Sequence, residues 1–250
     1  MKKIIMNILN RLGFEIRRFP APDIASGENA DIINKVMHYT MTSYERVSAL
    51  CDAVKYVVAE DIPGDIVECG VWKGGSMLAV ALMLVKLKNQ TRGLYLFDTF
   101  DGMTTPSEDD VYSNGRPAAL LLKQGHKKNP GSAWCCVGLE EVKKVMSLSA
   151  YDKSKIHFVK GRIEDTVPDL APRTISILRL DTDFYESTVH ELKHLFNRIS
   201  QGGILIIDDY GSWQGVRKAV DEFIERNDIR IFLNRIDYSS RFGVVTKDRP

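Results

Sequence analysis

The sequence contains few cysteines, and their arrangement excludes the functions that depend on paired thiols. There are four in 250 residues, Cys51, Cys69, Cys135 and Cys136. Two of them are adjacent and Cys69 falls in an apolar stretch, so they form neither a disulfide framework nor the ligand spacing of a zinc site. We therefore predict a protein of a reducing compartment, the cytoplasm.

The chain also lacks a charge surplus and a long apolar run. Its 34 Lys and Arg residues balance 33 Asp and Glu residues, so we expect no basic surface for nucleic acid or for a membrane. No apolar run approaches membrane-spanning length. Residues 1–18 combine basic and apolar side chains, but Asn7, Asn10 and Arg11 interrupt the apolar positions. Because a small-residue cleavage site is also missing, this pattern predicts an amphipathic helix and not a signal peptide.

Short apolar runs alternate with helical patterns along most of the chain. This alternation predicts an α/β fold: a doubly wound, Rossmann-like, mainly parallel sheet with helices on both faces and an antiparallel C-terminal edge strand. We expect residues 1–40 to form an N-terminal helical extension and residues 41–250 to form one domain. The predicted strands are Asp65–Cys69, Gly93–Phe97, Lys155–Val159, Ile175–Leu180 and Ile204–Ile207, followed by a hairpin of Ile229–Ile236 and Arg241–Thr246.

The helix before the first predicted strand has a clear start and end. Thr42 or Ser43 caps it, and its apolar positions recur at helical spacing until Glu60. A Pro-Gly pair at residues 63 and 64 then separates it from the strand.

Residues 101–135 interrupt the alternation. They are rich in Gly, Pro, Ser, Asp and Lys and show little periodicity. A long irregular insert in a compact domain is usually functional or disordered, and we interpret this one as a substrate lid. Four of its residues could touch a substrate, although a loop or packing role is the stronger expectation for each: Tyr112, Arg116, His126 and Trp134.

The stretch Ile66–Ser76 joins an apolar strand to an apolar helix through a glycine-rich turn. Such a turn brings backbone N–H groups close to a ligand, and Gly70 and Gly74 remove side chains that would block its approach. The helix N-terminus at Ser76 favours a carboxylate, and Glu68 at the strand end could hold an ammonium. These two preferences suit the amino-acid end of S-adenosylmethionine. The alternative is a purely structural turn, and the spacing is not the dinucleotide pattern G-x-G-x-x-G.

Acidic residues end four of the predicted strands: Glu68, Asp98, Asp181 and the pair Asp208 and Asp209. In open α/β sheets, ligands bind outside the carboxyl ends of the strands. Asp98 ends the second strand, where a carboxylate accepts hydrogen bonds from both ribose hydroxyls of a nucleoside. The alternative for Asp98 alone is a strand-end turn residue.

Two pairs of aspartates, Asp181 with Asp183 and Asp208 with Asp209, end strands that should be neighbours. Four converging carboxylates repel one another unless a cation neutralises them, and a hard divalent cation with oxygen ligands would do so. We expect magnesium, since no soft ligand is present. A metal there would orient an acceptor hydroxyl and lower its pKa, and Asp183 is the candidate base. Alternatively, Asp183 caps the next helix, because Glu186 completes a capping-box spacing.

Five segments of the sequence resemble the macrocin O-methyltransferase family. Known members of that family methylate sugar or phenolic hydroxyls in macrolide and aminocoumarin antibiotics. The resemblance covers roughly residues 38–247, and the segments occur in the order typical of the family. They are Glu68–Ser76, Phe97–Met103, Gly161–Thr166, Leu180–Thr188 and Ile207–Gly211.

The resemblance implies a magnesium-dependent class I methyltransferase that uses S-adenosylmethionine and forms a homodimer or a higher homo-oligomer. It places the metal ligands on Asp181, Asp208 and Asp209, and the general base on Asp183. By a looser similarity to metal-dependent catechol methyltransferases, the segment Met41–Ser43 should close over the methionine end. The cofactor contacts assigned in total are Met41, Thr42, Ser43, Glu68, Gly70, Gly74, Ser76, Asp98, Asp181 and, beside the adenine, Ile163 and Glu164.

The expected acceptor is a sugar hydroxyl in a glycoside, a natural product or a glycan. A phenol or catechol is an alternative, weakened because Phe184 and Tyr185 follow Asp183 where catechol enzymes use a lysine. An NAD-dependent oxidoreductase is less well supported, since the glycine spacing is wrong and the acid pairs would have no role. A cofactor-binding protein without chemistry would not need the acid cluster.

Overall fold

The computed structural model describes residues 21–125 and 134–246. The strands in this part of the chain are β1 (Asp65–Cys69), β2 (Leu94–Asp98), β3 (Ile156–Lys160), β4 (Ile175–Leu180), β5 (Ile199–Ile207), β6 (Asn234–Arg235) and β7 (Arg241–Val244). They form one sheet in the order β3-β2-β1-β4-β5-β7-β6. The first five are parallel, whereas β7 pairs antiparallel with both β5 and β6. The predicted, mainly parallel sheet with an antiparallel C-terminal end is confirmed.

Two strand boundaries differ from the sequence prediction by more than two residues. β5 begins at Ile199 and not at Ile204, because Ile199 already pairs with Ile175 of β4. β6 contains two residues, although the run Ile229–Ile236 predicted a longer strand. Apolar residues of that run pack against the core without pairing as a strand, namely Ile229, Ile231 and Leu233.

Helices cover both faces of the sheet, as predicted. They are α1 (Pro22–Ala25), α2 (Ala30–Val36), α3 (Tyr44–Ala59), α4 (Gly75–Lys86), α5 (Ala118–Gln124), α6 (Leu139–Met146), α7 (Ile163–Thr166), α8 (Tyr185–Leu195) and α9 (Gln214–Arg226). Successive strand residues point to opposite faces. Ile66 and Leu94 therefore join one core with α2, α3, α4 and α6, whereas Val67 and Phe97 join a second core with α7, α8 and α9.

Ser43 marks the start of α3. Its hydroxyl accepts a hydrogen bond from the backbone N–H of Arg46 at 3.2 Å, which satisfies one of the free N–H groups of the first turn. Thr42, the other predicted cap, instead donates its hydroxyl to Oδ2 of Asp208 at 3.1 Å. The start of α3 is thereby held against the acidic edge of the sheet.

The described part of the predicted N-terminal extension packs on the sheet domain. Ile33 and Val36 of α2 are buried in the core beside α3 and α4. The division at residue 40 stays a prediction, and the helix predicted within residues 1–18 lies outside the described residues. Within residues 21–125 and 134–246, no helix has both the length and the apolar character needed to cross a membrane.

The predicted lid contains more regular structure than its sequence pattern indicated. α5 lies within it, and Ala118 and Leu122 of this helix are buried against Phe184. The contact with Phe184 explains why a helix forms here without a long apolar periodicity, since short helices depend on tertiary packing.

Candidate active site

A cavity of about 390 Å³ lies at the carboxyl ends of β1, β2, β4 and β5, the edge at which open α/β sheets bind ligands. Most of the predicted site residues line its wall. They are Met41, Thr42, Gly70, Ser76, Asp98, Ile163, Glu164, Asp181, Asp183, Asp208 and Asp209. Three further predicted residues, Ser43, Glu68 and Gly74, do not line it.

Three aspartates form an oxygen-rich cluster on this wall. One carboxylate oxygen each of Asp181, Asp208 and Asp209 lies within 4.8 Å of the others. Oδ1 of Asp208 is buried and makes no well-formed hydrogen bond, although Nη2 of Arg179 lies 2.8 Å away. An all-carboxylate donor set with an unsatisfied oxygen fits a hard divalent cation such as magnesium.

Arg179 neutralises part of this cluster, a role that the sequence analysis missed. It lies 2.5 Å from Glu68 Oε1 and 2.7 Å from Asp181 Oδ2, and its side chain is almost fully buried. A charged residue within the apolar strand β4 was the available signal, because a buried charge needs partners. The neutralisation expected for the converging aspartates is therefore supplied in part by the protein itself.

Arg46 is the second missed cation. Its Nη1 lies 2.6 Å from Asp208 and its Nε 2.7 Å from Asp237, in the loop before β7. Burial disfavours the charge on Asp208, but Arg179 and Arg46 together hold the pKa of that carboxyl below its ordinary value. In the described chain, no Lys or Arg nitrogen is within ion-pair distance of Asp183 or Asp209, the second members of the two aspartate pairs.

Glu68 was expected to hold the ammonium of a ligand. In the structure its Oε1 accepts a hydrogen bond from Arg179 at 2.5 Å, while its Oε2 is buried without a partner. Burial raises the pKa of Glu68 to about 7, because desolvation outweighs the attraction of Arg179. One oxygen is thus committed to the protein itself, and a ligand could engage only the other.

Asp183 does not cap the helix that follows it, so that alternative is wrong. The first N–H of α8, on Tyr185, donates instead to Oδ1 of Asp110 at 2.7 Å. Asp183 has a left-handed backbone, with φ of 66°, and lines the cavity. Desolvation there and the neighbouring Asp181 carboxylate raise the pKa of Asp183 to about 7, a value suited to accepting a proton near neutral pH.

Asp98 lines the cavity, and its contact with a ribose stays a prediction. Its carboxylate also accepts three backbone N–H bonds, from Val71 at 2.7 Å, Trp72 at 3.1 Å and Phe100 at 2.7 Å. Asp98 therefore fixes the glycine-rich turn to the end of β2, and a ribose would share the carboxylate with these donors.

The glycines of the turn also make room for the protein itself, in addition to the room for a ligand predicted from the sequence. A Cβ on Gly70 would overlap the carbonyl oxygen of Asp181, and a Cβ on Gly74 would press on Val142 of α6. Both glycines have positive φ, at 84° and 86°, which residues with side chains rarely adopt. Gly70 thus sets the spacing between the turn and Asp181.

Among the lid residues singled out from the sequence, Tyr112 lines the cavity. Arg116 is exposed, and the indole of Trp134 donates to the carbonyl of Leu122 at 2.9 Å, which is the packing role expected for it. His126 lies outside the described residues.

The strand order and the cavity at the carboxyl ends of the strands are typical of the class I methyltransferase fold. The chain belongs to the macrocin O-methyltransferase family, because the model of the family described as Macrocin-O-methyltransferase (TylF) matches residues 3–243. It is therefore an S-adenosylmethionine-dependent O-methyltransferase, as the sequence motifs predicted. The oxidoreductase and the non-catalytic alternatives are set aside.

Relatives and a solved structure agree with this assignment. The chain is 33% identical over 201 residues to demethyldecarbamoylnovobiocin O-methyltransferase of Streptomyces niveus, covering 80% of this chain and 72% of that one. It is 32% identical over 204 residues to 8-demethyl-8-(2,3-dimethoxy-alpha-L-rhamnosyl)-tetracenomycin-C 4'-O-methyltransferase of Streptomyces olivaceus, covering 82% and 74%. The O-methyltransferase NovP superposes with a TM-score of 0.74 at 29% identity, covering 84% of this chain and 83% of that chain.

Proposed function

We propose that this enzyme methylates a hydroxyl of a sugar in a glycoside, natural product or glycan, and that it does so with magnesium bound by Asp181, Asp208 and Asp209. The observation that supports it most directly is the convergence of these three carboxylates within 4.8 Å on the cavity wall. The name of the Streptomyces olivaceus relative, which describes a rhamnosyl acceptor, supports the choice of a sugar.

The proposed cofactor site lies along the cavity wall formed by the ends of β1 and β2 and by α7. The residues that would hold S-adenosylmethionine are those of the glycine-rich turn with Ser76, Asp98 at the ribose, and Ile163 and Glu164 beside the adenine. Thr42 would close the methionine end, because its hydroxyl donates to Asp208 at 3.1 Å and accepts from Arg179 at 3.1 Å. These contacts hold the 41–43 segment beside the acids.

Magnesium, when bound, would supply orientation of the acceptor hydroxyl and a lower pKa for it. Asp183 would take the hydroxyl proton while the acceptor oxygen forms its bond to the methyl carbon and the carbon–sulfur bond breaks. The chain's main contribution is to hold oxygen, carbon and sulfur in line. The cavity wall next to the lid is apolar and aromatic, and it would exclude water during methyl transfer. The residues of this wall are Met103, Tyr112, Leu121, Leu122, Phe184 and Trp213.

The same apolar wall favours a phenol as the second candidate acceptor. A flat aromatic ring would pack against Tyr112 and Trp213 more completely than a sugar ring does. An acceptor screen that pairs glycosides with phenols distinguishes the two classes. A dimer and a cytoplasmic location stay predictions from the sequence.

Calorimetric titration of S-adenosylhomocysteine, with magnesium and with a chelator, tests the proposed site. We expect binding in both conditions and a separate magnesium signal that Asp209→Asn removes, while the affinity of that variant for S-adenosylhomocysteine stays within several fold. Transfer of labelled methyl groups to the acceptor panel should then require magnesium. Full turnover in chelator would show that the metal assignment is wrong.

A further inference from the structure

Trp213 lies at the meeting point of the lid and the acidic edge. Its indole Nε1 donates a hydrogen bond to Oδ1 of Asp183 at 2.8 Å. Its backbone forms an isolated antiparallel bridge with Tyr112 of the lid. The side chain also lines the cavity, so one residue contacts the candidate base, the lid and the space for the acceptor.

The indole ring is held in place by its neighbours. Its ring meets those of Phe184 and Tyr112 edge to face, with centroids 5.7 Å and 5.3 Å away, a preferred aromatic geometry. Its backbone N–H donates to the carbonyl of Asp209 at 3.0 Å. These contacts hold the indole N–H of Trp213 in the position from which it donates to Asp183.

Asp183 needs such a fixed neighbour. Its left-handed φ of 66° is uncommon for a residue with a side chain and persists only where the surroundings impose it. Among the described residues, no Lys or Arg pairs with its carboxylate, which hydrogen-bonds to the indole N–H of Trp213 and to the carboxyl group of Asp209.

We propose that Trp213 is a positioning residue for methyl transfer: its indole N–H holds Oδ1 of Asp183, so that Oδ2 is the oxygen that takes the acceptor proton. This inference rests on the proposed role of Asp183 as the base. It also means that the lid and the base are aligned by one side chain, since Tyr112 packs on the same ring.

Two substitutions of Trp213 distinguish the effect of its N–H donor from the effect of its aromatic ring. Trp213→Phe keeps an aromatic ring but removes the N–H. Trp213→Gln removes the ring but keeps an amide N–H at the same number of bonds from Cβ as the indole nitrogen. We expect Trp213→Phe to lower kcat about tenfold, a fraction of what general base catalysis supplies, with acceptor KM and S-adenosylhomocysteine affinity changed less than about threefold. Trp213→Gln should retain more of kcat than Trp213→Phe does.

A double-mutant cycle with Asp183→Asn tests whether Trp213 acts through Asp183. If it does, Trp213→Phe should cost little further activity in the Asp183→Asn background, because coupled residues are not additive. The matched control is Phe223→Leu, at the far end of α9, whose ring packs edge to face on Phe196 at 5.2 Å. It should lower the melting temperature while kcat per folded enzyme stays the same.

Three results would overturn the inference. The first is that Trp213→Phe lowers kcat by the same factor in the wild-type and the Asp183→Asn backgrounds. The second is a fall in melting temperature with kcat unaltered, as in the control. The third is full activity of Asp183→Asn itself, which would refute the base assignment in the proposed function and the role of Trp213 with it.

Discussion

A buried ion pair joins Arg46, in the first turn of α3, to Asp208, after β5: Nη1 lies 2.6 Å from Oδ2, and both side chains are less than a tenth exposed. Asp208 is also one of the three proposed metal ligands. The same carboxylate therefore holds the N-terminal segment over the cavity and contributes to the acid cluster. This relationship makes the stability of the fold depend on the residues of the site.

Replacing Arg46 tests that dependence. Arg46→Met should lower the free energy of unfolding by about 3 kcal/mol, because it leaves the buried carboxylate of Asp237 without a cation and that of Asp208 with Arg179 alone. Urea unfolding at neutral pH measures the loss. Lys55→Met is the control, since it removes an exposed pair with Glu28 at 2.8 Å and should cost far less. Equal losses in the two variants would contradict the argument.

Two glycines with the same backbone conformation allow the cost of steric overlap to be measured separately from the cost of a left-handed backbone. Gly70 and Gly115 have φ of 84° and 85°, but a Cβ would overlap the Asp181 carbonyl only at Gly70, while nothing lies within 4 Å at Gly115. Gly115→Ala should cost about 1 kcal/mol from the left-handed backbone alone. Gly70→Ala should cost about 3 kcal/mol or more, because the backbone must shift. Similar melting temperatures for the two variants would show that the overlap is relieved without cost.

Asp98→Ala should have two effects. It removes the acceptor for the N–H groups of Val71, Trp72 and Phe100, which should lower stability by about 2 kcal/mol. It should also weaken S-adenosylhomocysteine about tenfold or more, through the loss of the ribose contact and of the shape of the turn. Thermal unfolding and calorimetry measure the two separately. Unaltered affinity would reject the cofactor role of Asp98 and leave it a structural residue.

Asp110 anchors the lid to α8. Asp110→Ala removes the acceptor of the Tyr185 N–H and of the Ser107 N–H at 2.6 Å, and loss of such a cap costs about 1–2 kcal/mol. We expect faster cleavage within the lid by a protease. Asp109→Ala, which removes only an exposed pair with Lys218, should be cleaved at the wild-type rate. A lid equally resistant in both variants would mean that its anchor lies elsewhere.

The burial of Glu191 should make the free energy of unfolding depend on pH. It is fully buried beside Thr182, and burial raises its pKa well above the ordinary value of 4.5. The folded state therefore holds its proton more tightly than the unfolded state. The stability that Glu191 contributes is complete below about pH 4.5 and is lost as pH rises toward the folded pKa.

The unfolding free energy of the wild type should consequently fall more steeply with pH than that of Glu191→Gln, by up to about 1.4 kcal/mol per unit between about pH 5 and pH 8. Urea unfolding across this range gives both slopes. Parallel slopes would show that Glu191 is ionised in the folded protein.

The sequence by itself determined the features that depend on local pattern. Alternating and continuous apolar runs predicted the strands of the sheet, since a residue's face follows from its place in the strand. The hydroxyl before α3 predicted a cap, and the acids at the strand ends predicted a cluster at one edge, because parallel strands end on the same side. The family motifs then identified the methyltransferase.

Tertiary structure alone decided which groups those acids meet. Arg46 and Asp208 are 162 residues apart in the chain, and Arg179 and Glu68 are 111 apart, so no local pattern pairs them. The same holds for Asp110, which caps α8 from 75 residues away in place of the nearer Asp183. Ion pairs and caps are set by distance in space, and the parallel sheet brings residues from every part of the chain to one edge.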